Sequence, residues 1–158
     1  MPSRHRSPRQ SPGDPHPLGA ILDFLRLLWS IEHGLQRLSK RMERELGLTG
    51  PQRLVLRVVG RFPGLSAGEL AHILWLHPST ITGILQRLAT RGLLQRERDP
   101  GDSRRVRLRL NPRAIIYTRT AFGTVERAVT QALSTAGAPN VRAARKVLAD
   151  VAQRLDSF

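Results

Sequence analysis

Apolar residues recur at spacings of three and four from Leu18 onward, through Leu22, Leu25, Leu28, Trp29, Leu35, Leu38, Met42 and Leu46, with one skip at Glu32. The period is helical and predicts one long helix ending at Gly47. Thr49-Gly50-Pro51-Gln52 then offers an N-cap, a proline near the first turn and a Gln at N3, the start signals of a second helix. That helix is expected to bury Leu54, Val55, Val58 and Val59 before Pro63-Gly64 stop it. Ser66 with Glu69 makes another capping box, opening a short helix through Leu74. Pro78 opens a further helix, with Ile81, Ile84, Leu85 and Leu88 as its inward stripe and Gly92 as its stop.

The period then changes from helical to alternating. Leu93 to Arg98 and Arg105 to Leu110 flank Asp99-Pro100-Gly101-Asp102-Ser103-Arg104, which predicts a hairpin. Val106, Leu108 and Leu110 would face one way and Arg105, Arg107 and Arg109 the other. Asn111-Pro112 caps an expected fifth helix bearing Ala114, Ile115, Ala121, Phe122, Val125, Val129 and Leu133. Residues 137–140 break it, and a last helix carries Val141, Ala144, Val147, Leu148, Val151 and Leu155. A short capped helix, a turn, a second helix and an arginine-studded hairpin are the parts of a winged helix-turn-helix. The predicted fold is mainly α with a small β-hairpin wing. It comprises a single domain over 18–158, with the winged helix-turn-helix at 49–111 and dimerisation helices at 18–47 and 112–156. The outer helices would need a second copy, because their stripes are too long to bury within one small domain. Residues 1–17 hold five prolines, three serines and three arginines with almost nothing apolar. They are expected to form a disordered, expendable basic tail.

Charge sharpens this picture. The chain carries 26 Lys+Arg against 12 Asp+Glu, a net +14. Eleven arginines face four acids in residues 51–110, whereas 18–50 hold five basic residues against four acids. A positive excess concentrated on the helix-turn-helix and wing suits a phosphate-binding surface. The outward face of the Pro78 helix reads Ser79, Thr80, Thr82, Gly83, Gln86 and Arg87, and no acid occurs between Ile73 and Arg96. Short hydroxyls near the helix start suit phosphates, and Gln or Arg can make bidentate contacts to base edges. In the wing, Asp102 is expected to hold the Arg104 guanidinium outward, poised for a narrow minor groove. The DNA-binding set is therefore Ser66, His77, Ser79, Thr80, Thr82, Gln86, Arg87, Arg98, Arg104 and Arg105.

Other chemistry is weakly represented. There is no cysteine, which excludes disulfides and thiolate zinc sites. His72 and His77 lie five apart across a turn, a poor metal spacing. His77 reads as a cap or phosphate partner and His33 as a partly buried packing residue. No nucleophile elbow, Gly-rich phosphate loop or His-Glu metal helix appears, so neither catalysis nor a cofactor is expected. With no apolar run of about 18 residues and no signal peptide, a cytoplasmic protein is expected.

The run Asp99-Pro100-Gly101-Asp102-Ser103-Arg104-Arg105, followed by alternating Val106, Leu108 and Leu110, resembles the wing signature of the MarR family of bacterial transcriptional regulators. Asp99, Asp102 and Arg104 stand at the signature's positions; Gly101 occupies a slot often charged, and the Gly that usually follows the strand is missing. The resemblance implies a homodimeric regulator, a repressor in many members, on a pseudo-palindromic operator in double-stranded DNA. It also implies release by a small aromatic or anionic effector, and the cleft would be lined by Trp29, His33, Phe62 and Tyr117 if these are not simply core. The rival reading is a nonspecific basic architectural protein, which needs the charge but no hydroxyl-rich recognition helix.

Overall fold

The computed structural model describes residues 18–102, 104–119 and 124–157. Contacts divide the chain into two compact units, residues 1–34 and 35–158. The elements are α1 (Ala20–Leu46), α2 (Gly50–Arg61), α3 (Ala67–Leu74), α4 (Pro78–Thr90), β1 (Leu94–Arg98), β2 (Val106–Leu110), a 3-10 turn (Pro112–Ala114), α5 (Ile115–Thr118), α6 (Val125–Ala136) and α7 (Ala138–Leu155). The expected fold class, mainly helical with one antiparallel hairpin, is the one observed. The basic tail and Ala121 and Phe122 lie outside the described residues.

In the first unit, the N-terminal part of α1 leaves Ile21, Leu22, Leu27, Trp29 and Ile31 exposed. In the second unit the core is built on α2 to β2. Both capping boxes form: the Thr49 side chain accepts from the Gln52 amide while the Gln52 side chain accepts from the Thr49 amide, and Ser66 and Glu69 do the same. Each satisfies two N–H groups that a helix start would otherwise leave bare. The stripe Ile81, Ile84, Leu85 and Leu88 packs with Val55, Leu56, Val59, Leu70 and Leu108. Gly92, at φ +63, lets the chain leave α4 and enter β1 with a backbone that a Cβ would strain. The strands pair Leu94 with Leu110, Arg96 with Leu108 and Arg98 with Val106. Leu108 also bonds the α2–α3 connection, donating to the Leu65 carbonyl at 2.8 Å and accepting from the Gly64 amide at 3.0 Å. The wing is thereby fastened to the start of the helix-turn-helix.

Three expectations need correction. Leu54 is 44% exposed, and Leu56 takes its place in the core; Leu54 faces cavities beside α2 instead. Val106 is exposed while Leu108 is buried, because only the base of the hairpin reaches the core. The single helix expected from Asn111 to Leu133 is broken. It runs as the 3-10 turn and α5, leaves helical geometry at Arg119 and resumes at Val125. The cause lies in α2. Arg53 is buried and donates to the carbonyls of Tyr117 and Arg119 and, at 2.9 Å, to Glu126 Oε1. Carbonyls that a continuing helix would bond internally are satisfied by the guanidinium, and the β-branched run Ile115-Ile116 gives that stretch little helical preference of its own.

Candidate nucleic-acid interface

The helix pair α3–α4 presents the recognition face. His77 is the N-cap of α4: its Nδ1 accepts from the Ser79 amide at 3.3 Å and lies 2.7 Å from Ser79 Oγ. This is the cap role expected of it. Ser79, Thr80, Thr82, Gln86 and Arg87 are all exposed, and a side chain added at Gly83 would meet open space. Thr82 donates to the Pro78 carbonyl at 2.9 Å, which leaves its oxygen free to accept. Since the opposite stripe is fully buried, the helix can turn only this polar face outward.

One unforeseen feature sits in the turn before α4. Trp75 adopts the left-handed conformation, φ 52 and ψ 44, with its amide bonded to the carbonyls of Ala71 and His72. A non-glycine residue there costs roughly 1–2 kcal/mol. The compact turn requires the conformation, and no periodicity signals it.

Ser66 is committed to its helix: its hydroxyl donates to Glu69 Oε2 at 2.8 Å and accepts from the Glu69 amide at 3.2 Å. Glu69 in turn accepts from Arg105 Nη2 at 2.7 Å. Backbone and side-chain hydrogen bonds from Ser66, aided by Arg105, hold the Glu69 carboxyl below its ordinary value.

The three outward-facing strand arginines are ion-paired. Arg105 meets Glu69, Arg107 meets Asp99 at 2.6 Å, and Arg109 meets Glu97 at 3.0 Å. Arg87, Arg96, Arg98 and Arg104 are exposed and, among the described residues, their guanidiniums hold no ion pair or hydrogen bond. Within α4 and the hairpin, those four are the charges available to an anionic partner. Arg96 was not in the expected set, although it shares a face of β1 with Arg98, which was.

The turn is organised differently from expectation. Asp102 accepts from the backbone amide of Arg104 at 3.0 Å, not from its guanidinium. The carboxylate that grips a guanidinium is Asp99, which is buried and accepts from the Gly101 amide at 2.8 Å and from Arg107 Nε. The two aspartates fix the loop's main chain and leave the Arg104 side chain unrestrained. The Gly101 amide, then Arg107, hold the Asp99 carboxyl below its ordinary value of 3.8 against the effect of burial. Folding thus favours the ionised form. The resulting stabilisation is complete above about pH 4 and is lost as pH falls through the lower folded-state value. Between pH 7 and 5 the wing should hold; below about pH 4 the urea midpoint should drop with pH, and Asp99→Asn should flatten that drop. An identical acid limb in the variant would move the effect to other carboxylates.

The four residues expected to line an effector cleft fall two in each unit. Trp29 and His33 are exposed on α1 in the first unit. In the second, Phe62 borders an open groove with Arg57, Arg61 and Arg109, and half-buried Tyr117 packs on the core. No group of three His, Cys, Asp or Glu that could hold a metal occurs among the described residues. Among them, too, no helix is long and apolar enough to cross a membrane.

Residues 46–105, the helix-turn-helix and most of the wing, match the model of the MarR family. The HTH-type transcriptional regulator TtmR of Methylorubrum extorquens is 36% identical over 93 residues, which are 59% of this chain and 47% of TtmR. The transcriptional regulator HosA of Escherichia coli is 37% identical over 71 residues, 44% of this chain and 53% of HosA. The match thus spans about half the length of either relative. Among solved structures, the transcriptional regulator PcaV of Streptomyces coelicolor, crystallised with its natural ligand, superposes with a TM-score of 0.66 at 29% identity, over 80% of this chain and 89% of that one. All three are named as transcriptional regulators and none as an enzyme.

Proposed function

We propose, from the match of residues 46–105 to the MarR family and the likeness to the regulators TtmR and PcaV, that the chain is a MarR-type regulator: a homodimeric, sequence-specific DNA-binding transcriptional regulator whose operator is pseudo-palindromic and whose binding is controlled by a small molecule. The observation that carries the reading is the face of α4. It is acid-free and hydroxyl-rich with Gln86 and Arg87 beyond, and it is turned outward by a buried stripe beside the unpaired arginines of the wing. In the helix-turn-helix geometry such a face enters the major groove while the wing reaches flanking backbone. Arg87 reads base edges; Arg96, Arg98 and Arg104 supply phosphate contacts, with Arg104 at the hairpin tip suited to a minor groove. The dimer reading rests on apolar side chains left exposed on α1, α6 and α7, including Ile21, Leu22, Val129, Leu133, Val147 and Leu148. Solvated faces of this length do not normally carry so many.

The test compares a duplex selected from genomic footprints with a scrambled one, by fluorescence anisotropy. Selective binding should fall with salt at a slope of about −0.9 per neutralised phosphate, with roughly six or more phosphates for a dimer. Arg87→Ala should cost about 1–3 kcal/mol and relax selectivity at one base pair per half-site. Arg104→Ala should weaken every sequence, A·T-rich flanks most. Equal affinity for both duplexes would support the nonspecific architectural reading instead.

A further inference from the structure

Glu69 is the one acid of α3 and α4, and its local task needs no charge. It closes the capping box of α3, its Oε2 accepting from the Ser66 amide and hydroxyl, both at 2.8 Å. In α2 the same place is filled by Gln52, whose side chain accepts from the Thr49 amide at 3.1 Å. A capping box asks for an acceptor at N3, and Gln supplies one as Glu does. The second oxygen of Glu69 is turned elsewhere: Oε1 accepts from Arg105 Nη2 at 2.7 Å.

That pair differs from its two neighbours in the wing. Arg107 and Arg109 meet Asp99 and Glu97 of their own hairpin, whereas Arg105 reaches a residue 36 positions away on α3. Arg105 also closes the hairpin turn. Its amide donates to the Asp102 carbonyl and its carbonyl accepts from the Asp99 amide, both at 2.9 Å. The next residue, Val106, is exposed, and the hairpin first reaches the core at Leu108. Glu69 therefore ties the outer end of the wing to α3 where no apolar packing does so. It also neutralises a guanidinium that would otherwise join Arg87, Arg96, Arg98 and Arg104. Both partners are exposed, a setting in which an ion pair contributes little to stability.

We propose that Glu69 is a positioning residue that sets DNA specificity: by holding Arg105 on α3 it withholds one cation per protomer from sequence-independent phosphate binding and pre-orders the wing for the operator. This rests on the DNA-binding reading above and adds to it an acid whose role is to limit affinity. Phosphate contacts strengthen binding to every duplex and carry no sequence information. A released Arg105 strengthens operator and scrambled complexes alike. A loosened wing penalises only the operator complex, in which wing and α4 must be seated together, because the ordering then has to be done on binding.

The test uses the full chain with the footprint-selected and scrambled duplexes, by anisotropy over a range of salt. Glu69→Gln keeps the capping acceptor, and an unchanged circular dichroism spectrum checks that the fold is kept. On the scrambled duplex the slope of log affinity against log salt should steepen by about 0.9 per protomer, and affinity at ~0.15 M salt should rise about fivefold for each phosphate gained. The preference for operator over scrambled DNA should fall about two- to tenfold, the equivalent of ordering one long side chain. The slope counts cations seated on phosphates. In an Arg105→Gln chain, which has no guanidinium to release, adding Glu69→Gln should therefore leave it unchanged. Equal steepening in both backgrounds would assign the effect to the carboxylate's own repulsion and overturn the proposal, as would a Glu69→Gln chain with the parent's slope and preference. A parent chain that binds no duplex, or both equally well, would overturn the DNA-binding reading and this inference with it.

Discussion

Replacing Arg53 by alanine should destabilise the fold by about 3–5 kcal/mol, the range for removing one partner of a buried ion pair. The Arg53 side chain is 2% exposed, and Glu126, its partner, is 23% exposed. In the wild type one guanidinium serves that carboxylate and the carbonyls of Tyr117 and Arg119. Alanine takes this donor from the two carbonyls, leaves the Glu126 carboxylate with only the more distant Arg57 as its ion-pair partner, and opens a void beside them. At roughly 2–4 °C per kcal/mol for a chain of this size, the melting temperature should fall by about 6–20 °C. Arg53→Met with Glu126→Leu should recover part of the loss, because the uncompensated charge disappears while the two carbonyls stay unpaired. Urea denaturation followed by circular dichroism gives the comparison. A loss below about 1 kcal/mol for Arg53→Ala would show that water or a shifted neighbour replaces the guanidinium and that the brace is dispensable.

Arg53 also marks where sequence legibility ends. Features whose cause lies within a few residues could be read directly. Thr49 with Gln52 and Ser66 with Glu69 are each three apart, and both boxes form as read. The stripe from Ile81 to Leu88 needs only the helical period, and it is buried throughout. Arg53 reads in one dimension as a polar residue before Leu54. Its burial depends on carbonyls 64 and 66 residues away and a carboxylate 73 away, distances over which periodicity carries no information. The broken fifth helix follows from that same contact and was hidden for the same reason. The wing shows the boundary within a single motif. Alternation placed Arg105, Arg107 and Arg109 outward correctly. It could not reveal that Glu69, 36 residues from Arg105, closes one of three ion pairs. The role given to Asp102 belongs to Asp99, and telling two aspartates of one turn apart takes the loop's actual course.

Removing residues 138–158 should leave duplex binding about 10²–10⁴ weaker, the factor lost when two linked half-site contacts become one. The deletion takes away α7 and strips α6 of its sequence neighbour. Val129 and Leu133 on α6 and Val147, Leu148 and Leu155 on α7 are exposed in the single chain, so the apolar surface these helices offer is at its largest before a partner covers it. Burial of such surface contributes roughly 25 cal/mol per Å², and deleting half of it removes the main drive for association. The recognition machinery from Gly50 to Leu110 keeps its own core of Val55, Leu56, Leu70, Ile81, Leu85 and Leu108, so each truncated copy can still offer one α4 to one half-site. The expected product sediments as a monomer or as heterogeneous aggregates, and any soluble fraction binds a half-site duplex about as well as the full palindrome. Sedimentation velocity reports the assembly and anisotropy on the two duplexes reports the avidity. A truncated chain that stays a well-defined dimer would move the interface to α1 alone. One that is a folded monomer yet grips the palindrome as tightly as its parent would remove the dimer from the mechanism altogether.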